Sequence, residues 1–471
     1  MKAAEGGRRK LVARLAVLAL LLAIWNLPVP EGLTLPAWRL FALFVTAIVS
    51  VVAGALPILT ASILAVAAAV LTGTLPPAKA YAGFANGTIL LIVVAFLVAR
   101  AVVKCGLGQR LGFVVVSLFG RSTLGLAYSV FVVDGVIAPA FPSNTARAGV
   151  LYPLVVSLAE AAGVQRGEER RKRLGSFLMF SGMASLSLSS ALWLTAMAGN
   201  PLGAEMARSY GLEIGFGSWL VAASVPTLVA MALLPLLLYR VISPEVKAAP
   251  EAPAAAREAL ARMGPWRAQE KIVAATFVGM VLLWASAGTL KLDSTAIAFL
   301  GLGILLATDV LGAADIAREG EVLSTFLWFA VLFALSGQLN ELGFMGFLGH
   351  RLAGALGGLP WLPATLILVA AYVLLHYLFV SQTAQVLALF GVFLDVGIRI
   401  GAPALPLAFL LLFASNFFSA ITPQGSSANL LFGGSGFLSQ GELYRLGALT
   451  TAFNLIVFLV VGLPWLLLVA R

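Results

Sequence analysis

Residues 138–145 read Ala138-Pro139-Ala140-Phe141-Pro142-Ser143-Asn144-Thr145 and lie at the centre of the apolar stretch 122–161. A single helix crosses a bilayer with about 20 apolar residues, so this stretch of about 40 is too long for one crossing. The two prolines end an entering helix, and the Ser-Asn-Thr run can cap a returning one. Basic residues flank the stretch on both sides, which places both flanks in the cytoplasm: Lys104, Arg110 and Arg121 before it, and the cluster Arg166–Arg173 after it. The pattern predicts a re-entrant hairpin with its tip at residues 143–145.

The composition excludes a soluble protein. Of the 471 residues, 61% are hydrophobic and 11% are charged, against roughly 25% charged in a soluble globular chain. One cysteine, Cys105, excludes an internal disulfide, and two histidines argue against a histidine-rich metal site. The net charge of +10 comes mostly from short runs between apolar segments, so it does not indicate nucleic-acid binding. The sequence contains no nucleotide-binding loop or nucleophile elbow, and we expect neither an enzyme nor a cofactor.

Eleven further segments have the length of single transmembrane helices. The first follows Lys2, Arg8, Arg9 and Lys10 as a signal peptide would, but no small-residue cleavage site follows it. We therefore predict an uncleaved helix, with the N-terminus in the cytoplasm, the C-terminus outside and the chain in the cell (inner) membrane. The predicted spans are 11–28, 36–55, 57–74, 85–104, 174–200, 217–241, 271–288, 293–313, 322–342, 404–432 and 446–469.

A polar linker, 243–270, divides the chain into two halves that align at a nearly constant separation of about 237 residues. Five spans lie between 85–104 and 322–342, so the two halves would have opposite orientations in the membrane. Inverted repeats with helices broken at corresponding positions are typical of secondary transporters. The aligned pairs are Thr88 with Thr325, Gly106 with Gly343, Ser143-Asn144-Thr145 with Ser381-Gln382-Thr383, and Ser189-Ser190-Ala191 with Ser426-Ser427-Ala428.

The second tip, Ser381-Gln382-Thr383, lies within a second predicted hairpin, 361–399. Two facing helix starts offer free N–H groups, hydroxyls and amides, which suit an anion with two carboxylates. The alternative is ordinary packing of small polar residues between helices. Two broken helices accompany the tips: Thr422-Pro423-Gln424-Gly425-Ser426-Ser427 interrupts 404–432, and we place its counterpart near Ser185–Ser190 in 174–200. A plain proline kink is the alternative at both breaks, although the segment near Ser185–Ser190 lacks proline.

Arg147 follows the first tip by two residues, which places it near mid-membrane, where a charge is costly and usually functional. A fixed cation beside two helix starts suits an anionic substrate and could replace a bound sodium ion. The alternative is a structural ion pair, but Asp134 is expected to lie about 14 Å of helix rise from the tip, too far to serve. His376, five residues before the second tip, is a candidate hydrogen-bond donor or proton carrier, or a packing residue.

Three runs resemble the divalent anion/sodium symporter family, most of all its citrate/succinate and 2-oxoglutarate/malate exchangers. They are Pro142-Ser143-Asn144-Thr145-Ala146-Arg147-Ala148-Gly149, Thr195-Ala196-Met197-Ala198-Gly199-Asn200-Pro201 and His376-Tyr377-Leu378-Phe379-Val380-Ser381-Gln382-Thr383-Ala384. The resemblance covers about residues 80–471. It implies a homodimer in which a transport domain moves as an elevator against a fixed scaffold.

The resemblance also implies the substrate ligands, namely Asn144, Thr145, Gln382, Thr383, Thr422 and Pro423, to which we add Ser143, Ser381, Arg147 and His376. Sodium-coupled members hold Na⁺ beside each tip, which here would be near Ser143 and Ser381. Gln382 departs from the symporters' Ser-Asn-Thr, and together with Arg147 it favours exchange over sodium coupling.

The sequence therefore predicts an all-α polytopic membrane protein with about eleven transmembrane helices and two re-entrant hairpins. Scaffold helices would occupy 1–121 and 206–360, and the transport domain would comprise 122–205 and 361–471. The leading hypothesis is exchange of di- or tricarboxylates such as 2-oxoglutarate, malate, succinate or citrate. The alternatives are a sodium-coupled symporter for dicarboxylates or sulfate, and an anion channel.

Overall fold

The fold is all-helical, as its composition predicts. The computed structural model describes residues 2–161, 163–164, 172–356, 358–379 and 381–470. Within these ranges the only β-structure is an isolated bridge between Ser122 and Ala248. The part of the predicted cytoplasmic cluster Arg166–Arg173 that precedes residue 172 lies outside the described residues.

Helices α1 to α11 form the first half. They span Lys2–Asn26, Leu35–Val52, Ile58–Leu71, Pro77–Ala80, Gly87–Cys105, Leu107–Phe119, Thr123–Ile137, Asn144–Ala161, Lys172–Leu192, Gly199–Arg208 and Phe216–Ile242.

Helices α12 to α24 form the second half. They span Glu251–Met263, Ala268–Leu290, Ser294–Ala307, Ala313–Ala317, Gly320–Glu341, Phe344–Ala355, Trp361–Leu375, Gln382–Gln385, Gly391–Arg399, Ala404–Phe417, Ser427–Gly433, Gln440–Val457 and Leu463–Val469. A π-helical turn, Val386–Phe390, joins α19 to α20 without a break, so the chain is helical from Gln382 to Arg399.

Nine helices among the described residues are long and apolar enough to cross a membrane. Two of them, Thr123–Ala140 and Trp361–Leu378, are the entering arms of the predicted hairpins, and the others coincide with predicted single spans. The predicted spans 57–74, 293–313 and 404–432 correspond to shorter apolar helices: Ile58–Leu71, Ser294–Ala307 and Ala404–Ala420.

Both predicted hairpins are present as helix pairs with a 3₁₀ turn at the tip. In the first, α7 is followed by the turn Ala138–Ala140 and α8 returns from Asn144. In the second, α18 is followed by the turn His376–Leu378 and the return begins at Gln382. The prolines act as predicted at the first tip, since Pro139 lies in the turn and Pro142 precedes the returning helix.

The break predicted near Ser185–Ser190 is wrong, because these residues lie within the continuous helix α9. Two of their hydroxyls bond within the helix: Ser185 donates to the Gly182 carbonyl at 3.0 Å and Ser187 to the Ala184 carbonyl at 2.7 Å. The chain instead breaks between α9 and α10, at residues 193–198. The pairing of Ser189-Ser190-Ala191 with Ser426-Ser427-Ala428 is wrong too, because the first run precedes its break and the second follows its own.

A hydrogen-bonded asparagine spans each break, and we call it with its two accepting carbonyls a clasp. The two clasps show which positions of the two halves of the chain correspond. Asn200 follows the first break, and its side-chain amide donates back to two carbonyls of the chain that leads into the break; Asn429 does the same at the second. The accepting carbonyls belong to Ser190 and Trp193 in the first case and to Ser419 and Thr422 in the second. Each residue of the second clasp follows its counterpart by the same 229 residues, so the two breaks have the same construction.

Two glycines that the alignment pairs, Gly106 and Gly343, have φ of +79° and +83°. They end α5 and α16 in the left-handed conformation, where a side chain would be strained. Each is followed at once by a short helix, α6 or α17, that the sequence analysis did not resolve.

The linker 243–270 is bound to the first hairpin and to α6. Residues 246–249 run beside the start of α7, where the Thr123 backbone N–H donates to the Lys247 carbonyl at 3.1 Å. Helix α12 follows and packs on α6. At the linker's end, Arg110 of α6 pairs with Glu270 at 2.9 Å, both side chains being buried.

Candidate functional site

The two hairpin tips meet. The side-chain amide of Asn144 donates to Oε1 of Gln382 at 3.1 Å, although 238 residues separate them in the chain. Ser143 and Ser381 cap the two returning helices in the same way, each hydroxyl accepting the backbone N–H three residues on at 3.3 Å. The predicted Ser-x-Thr tips therefore come together as a pair of facing helix starts.

A cavity of about 160 Å³ lies between these tips and two helices of the rest of the molecule. One wall is polar and is built from the tips and the two breaks. The other wall is mostly aromatic and comes from α5 and α16. The first wall consists of Pro142, Ser143, Asn144, Thr145, Met197, Ala198, Ser381, Gln382, Thr383, Ser426 and Ser427, and the second of Phe96, Glu321, Thr325, Trp328 and Phe329.

The polar wall is rich in hydrogen-bond donors and has little charge. The starts of α8 and of the helical run from Gln382 point their free N–H groups and positive dipole ends at the cavity. Hydroxyls of Thr145 and Thr383 stand beside them. Among the described residues that line the cavity, Glu321 is the one with an ionisable side chain. The wall can thus bind carboxylates through neutral donors.

Arg147 lies behind the first tip rather than in the cavity. Its side chain is fully buried, and Nη2 donates to Oδ1 of Asn144 at 2.5 Å and to the Leu186 carbonyl at 3.2 Å. Ser190 also accepts from Nη2 and donates to the same Oδ1. The guanidinium therefore fixes the Asn144 amide, leaving its NH₂ group free to reach Gln382.

The expectation that Asp134 is too far to pair with Arg147 is wrong. The carboxylate lies 3.8 Å from the guanidinium, and Ser189 bridges the two groups, accepting from Nη1 at 2.9 Å and donating to Asp134 at 2.6 Å. The separation had counted residues 138–143 as helix rise, whereas they turn the chain around, so both side chains lie at one depth. The Arg147 charge is therefore compensated by a buried acid.

His376 lies behind the second tip, also fully buried. Its Nδ1 is 2.7 Å from Oε1 of Gln385, and its Nε2 is 2.9 Å from the Gly425 carbonyl. Gln385 in turn donates to the Tyr372 carbonyl at 2.9 Å. Both ring nitrogens thus lie within hydrogen-bond distance of oxygens, and a neutral ring donates from one of them. The ring links the second hairpin to the broken helix between α21 and α22.

The structure brings some predicted site residues to the cavity and leaves others behind it. Ser143, Asn144, Thr145, Ser381, Gln382 and Thr383 line the cavity, whereas Arg147 and His376 support the tips from behind. At the second break, Ser426 and Ser427 line the cavity, while Thr422 and Pro423, at the start of the 3₁₀ turn, do not.

Sequence reasoning missed part of the lining. Met197 and Ala198 belong to the first break, which the sequence analysis placed too early in the chain. The wall from α5 and α16 was missed because its residues are those of an ordinary apolar helix; only Glu321, an acid in the first turn of α16, could have signalled it.

Comparison with known proteins identifies related membrane transporters. The family model for the sodium:sulfate symporter transmembrane region matches residues 8–470. The putative malate transporter YflS of Bacillus subtilis is 40% identical over 97% of this chain and 96% of its own. Dicarboxylate transporter 1, chloroplastic, of Spinacia oleracea is 38% identical over 94% of this chain and 78% of its own.

A solved structure has the same fold. The Alcanivorax borkumensis YdaH transporter superposes with a TM-score of 0.56 over 83% of this chain and 88% of its own, at 16% identity. The family model covers nearly the whole chain and two relatives exceed 30% identity across it, so the resemblance drawn from the tips is confirmed. The chain belongs to the sodium:sulfate symporter transmembrane region family, also called the divalent anion/sodium symporters, and is a multi-pass membrane transporter.

Proposed function

We propose that the chain exchanges small dicarboxylates across the cell membrane. The observation that carries this proposal is the convergence of two capped helix starts on one cavity. Each start offers N–H and hydroxyl donors to one carboxylate. The names of its relatives, a putative malate transporter and a chloroplastic dicarboxylate transporter, agree with this class of substrate.

The nitrogen-bearing side chains behind the tips favour exchange over sodium symport. Arg147 donates there to oxygens of Asn144, Leu186 and Ser190. At the second tip the His376 ring faces oxygens of Gln385 and Gly425. Hard cations such as Na⁺ are bound by such oxygens, so fixed nitrogen donors occupy places that a sodium ion would need. Sodium-coupled transport of dicarboxylate or sulfate is the second candidate, which the family description favours.

The proposed mechanism is alternating access by an elevator. The two hairpins and two broken helices, in 122–205 and 361–471, form the moving domain, and helices from 1–121 and 206–360 form the scaffold. The matching clasps, the paired glycines and the contact between Asn144 and Gln382 support an inverted repeat with the site on its pseudo-two-fold axis. We propose a homodimer with its N-terminus in the cytoplasm and its C-terminus outside.

Uptake of labelled 2-oxoglutarate into proteoliposomes tests the function. We expect rapid uptake when the vesicles contain a dicarboxylate, and little without it, whether or not external sodium is present. Strong stimulation by sodium into empty vesicles would establish the symporter instead. Dissipation of a membrane potential by the anion would establish a channel.

Replacing Thr145 or Thr383 by alanine should weaken substrate binding by about 1.5–3 kcal/mol, because each change removes a hydroxyl hydrogen bond to a charged group. That corresponds to roughly 10- to 100-fold in affinity. The half-saturation concentration for exchange measures it. Thr308→Ala is the matched control, since among the described residues that hydroxyl bonds only to the Ile304 carbonyl at the exposed end of α14. Wild-type half-saturation in both tip variants would place the site elsewhere.

A further inference from the structure

Glu321 is an acid in an anion site. It is the second residue of α16 and lines the cavity across from the hairpin tips. It also lines a second cavity of about 340 Å³ that adjoins the first and continues along α5 to Arg100 and Glu319. Any anion that reaches the tips through this second cavity passes the Glu321 side chain.

The Glu321 carboxylate is not neutralised by its surroundings. Arg100, the cation lining the second cavity, pairs with Glu319 at 3.0 Å. Within the described part of the chain Glu321 itself has neither an ion-pair nor a hydrogen-bond partner. Apart from the positive end of the α16 dipole, no group among the described residues compensates this negative charge, which faces the cavity.

The two walls of the cavity thus differ in what they offer to a carboxylate. The tips provide two groups of donors, one at each helix start. The wall opposite offers Phe96, Trp328, Phe329, Thr325 and the Glu321 carboxylate. A dicarboxylate can place both its charges against the tips. A third carboxylate has to turn toward α16, where it meets a like charge, and like charges in close contact oppose binding.

We propose that Glu321 is a specificity-determining residue, which makes the site accept dicarboxylates and reject fully ionised tricarboxylates. This inference rests on the proposed function and narrows its substrate class. In this proposal the wall from α5 and α16 discriminates between substrates by their charge. The tips supply the affinity that all the substrates share.

The experiment compares two competitors in one assay. Proteoliposomes loaded with unlabelled malate take up labelled malate, and citrate or succinate is added outside as inhibitor. The readout is the ratio of the inhibitory concentrations of citrate and succinate, which cancels differences in expression and in folded fraction. Three variants are measured beside the unmutated protein: Glu321→Gln, Glu321→Asp and Glu341→Gln.

Glu321→Gln should lower the citrate-to-succinate ratio about tenfold, equivalent to about 1.4 kcal/mol, whatever the rate of labelled malate uptake in the variant. Glu321→Asp keeps the charge and should keep most of the discrimination. Glu341→Gln is the matched control, because Glu341 ends the same helix in an exposed pair with Lys79 and does not line the cavity. In the unmutated protein, lowering the pH should also reduce the ratio, since it protonates the third carboxylate of citrate.

An unchanged ratio in Glu321→Gln, with malate exchange intact, would overturn the inference alone. An equal fall of the ratio in Glu341→Gln would overturn it as well, because the effect would then not depend on the cavity. Absence of any carboxylate exchange by the unmutated protein would overturn the proposed function and this inference together.

Discussion

Arg147→Gln is expected to destabilise the protein by about 3–5 kcal/mol and to abolish transport. The change leaves the Asp134 carboxylate buried without its cation, which is the costly way to break a buried ion pair. It also removes the donors that hold the Asn144 amide in place at the first tip. Thermal unfolding of the detergent-purified protein, followed by size-exclusion chromatography, measures the stability.

The double variant Asp134→Asn/Arg147→Gln separates structure from recognition. It removes both charges, so most of the lost stability should return. If the arginine matters to substrate only through the pair, transport should return with it. If its charge acts on the bound dianion across the tip, stability should return while substrate affinity stays low. A single Arg147→Gln variant as stable as the unmutated protein would contradict the buried pair.

The matched control is Arg399→Gln on the returning arm of the second hairpin. Arg399 pairs with Asp395 at 2.5 Å, but the arginine side chain is 39% exposed. Pairs open to solvent contribute about 0–1 kcal/mol, so this substitution should change stability little.

Arg110→Gln is expected to lower the free energy of unfolding by a similar amount, about 3–5 kcal/mol, because it breaks the second buried ion pair. Glu270 is completely buried, and besides Arg110 it accepts the Arg267 backbone N–H at 2.8 Å. The Arg110 guanidinium also donates to the Gly264 carbonyl at 2.9 Å. Loss of these contacts should free the linker from α6, which is measured as faster proteolysis of 243–270 together with a lower unfolding temperature.

Arg262→Gln is the control for this second prediction, since its pair with Glu258 lies on the same linker and is more than 70% exposed on both sides. It should leave the unfolding temperature and the proteolysis rate nearly unchanged. Equal effects from Arg110→Gln and Arg262→Gln would contradict the assigned role of the buried pair.

Much of the fold follows from the sequence because bilayer length and polar interruptions are local properties. The first hairpin could be predicted from two prolines and a Ser-Asn-Thr run in a stretch too long for one crossing, and the second from a Ser-Gln-Thr run in a stretch of similar length. The first break could not, because Trp193–Ala198 has neither proline nor glycine and is held open by Asn200, a partner outside the break itself. The serines before it resemble a break in the sequence, but Ser185 and Ser187 bond to carbonyls of their own helix, which continues through them.

The site was predictable only on one side. The residue types at the tips predict a polar binding surface. The wall from α5 and α16 is recognised only once the packing of the helices is known. Arg147 was found, but its partner was misjudged because helix rise was counted through a turn. A buried pair formed across a reversal of the chain depends on where the chain turns, which spacing alone does not give.

The contact between Asn144 and Gln382 has a consequence for how the protein is made. At synthesis rates of about 5–20 residues per second, the ribosome needs roughly 10–50 s to reach Gln382 after Asn144. During that time the first hairpin has to stay in the membrane without its partner. The Arg147 side chain can already be neutralised, because Asp134 and Ser189 belong to the same half of the chain. The first half can therefore remain in the membrane with its buried charge paired. The binding cavity forms only when the second hairpin has been synthesised and inserted.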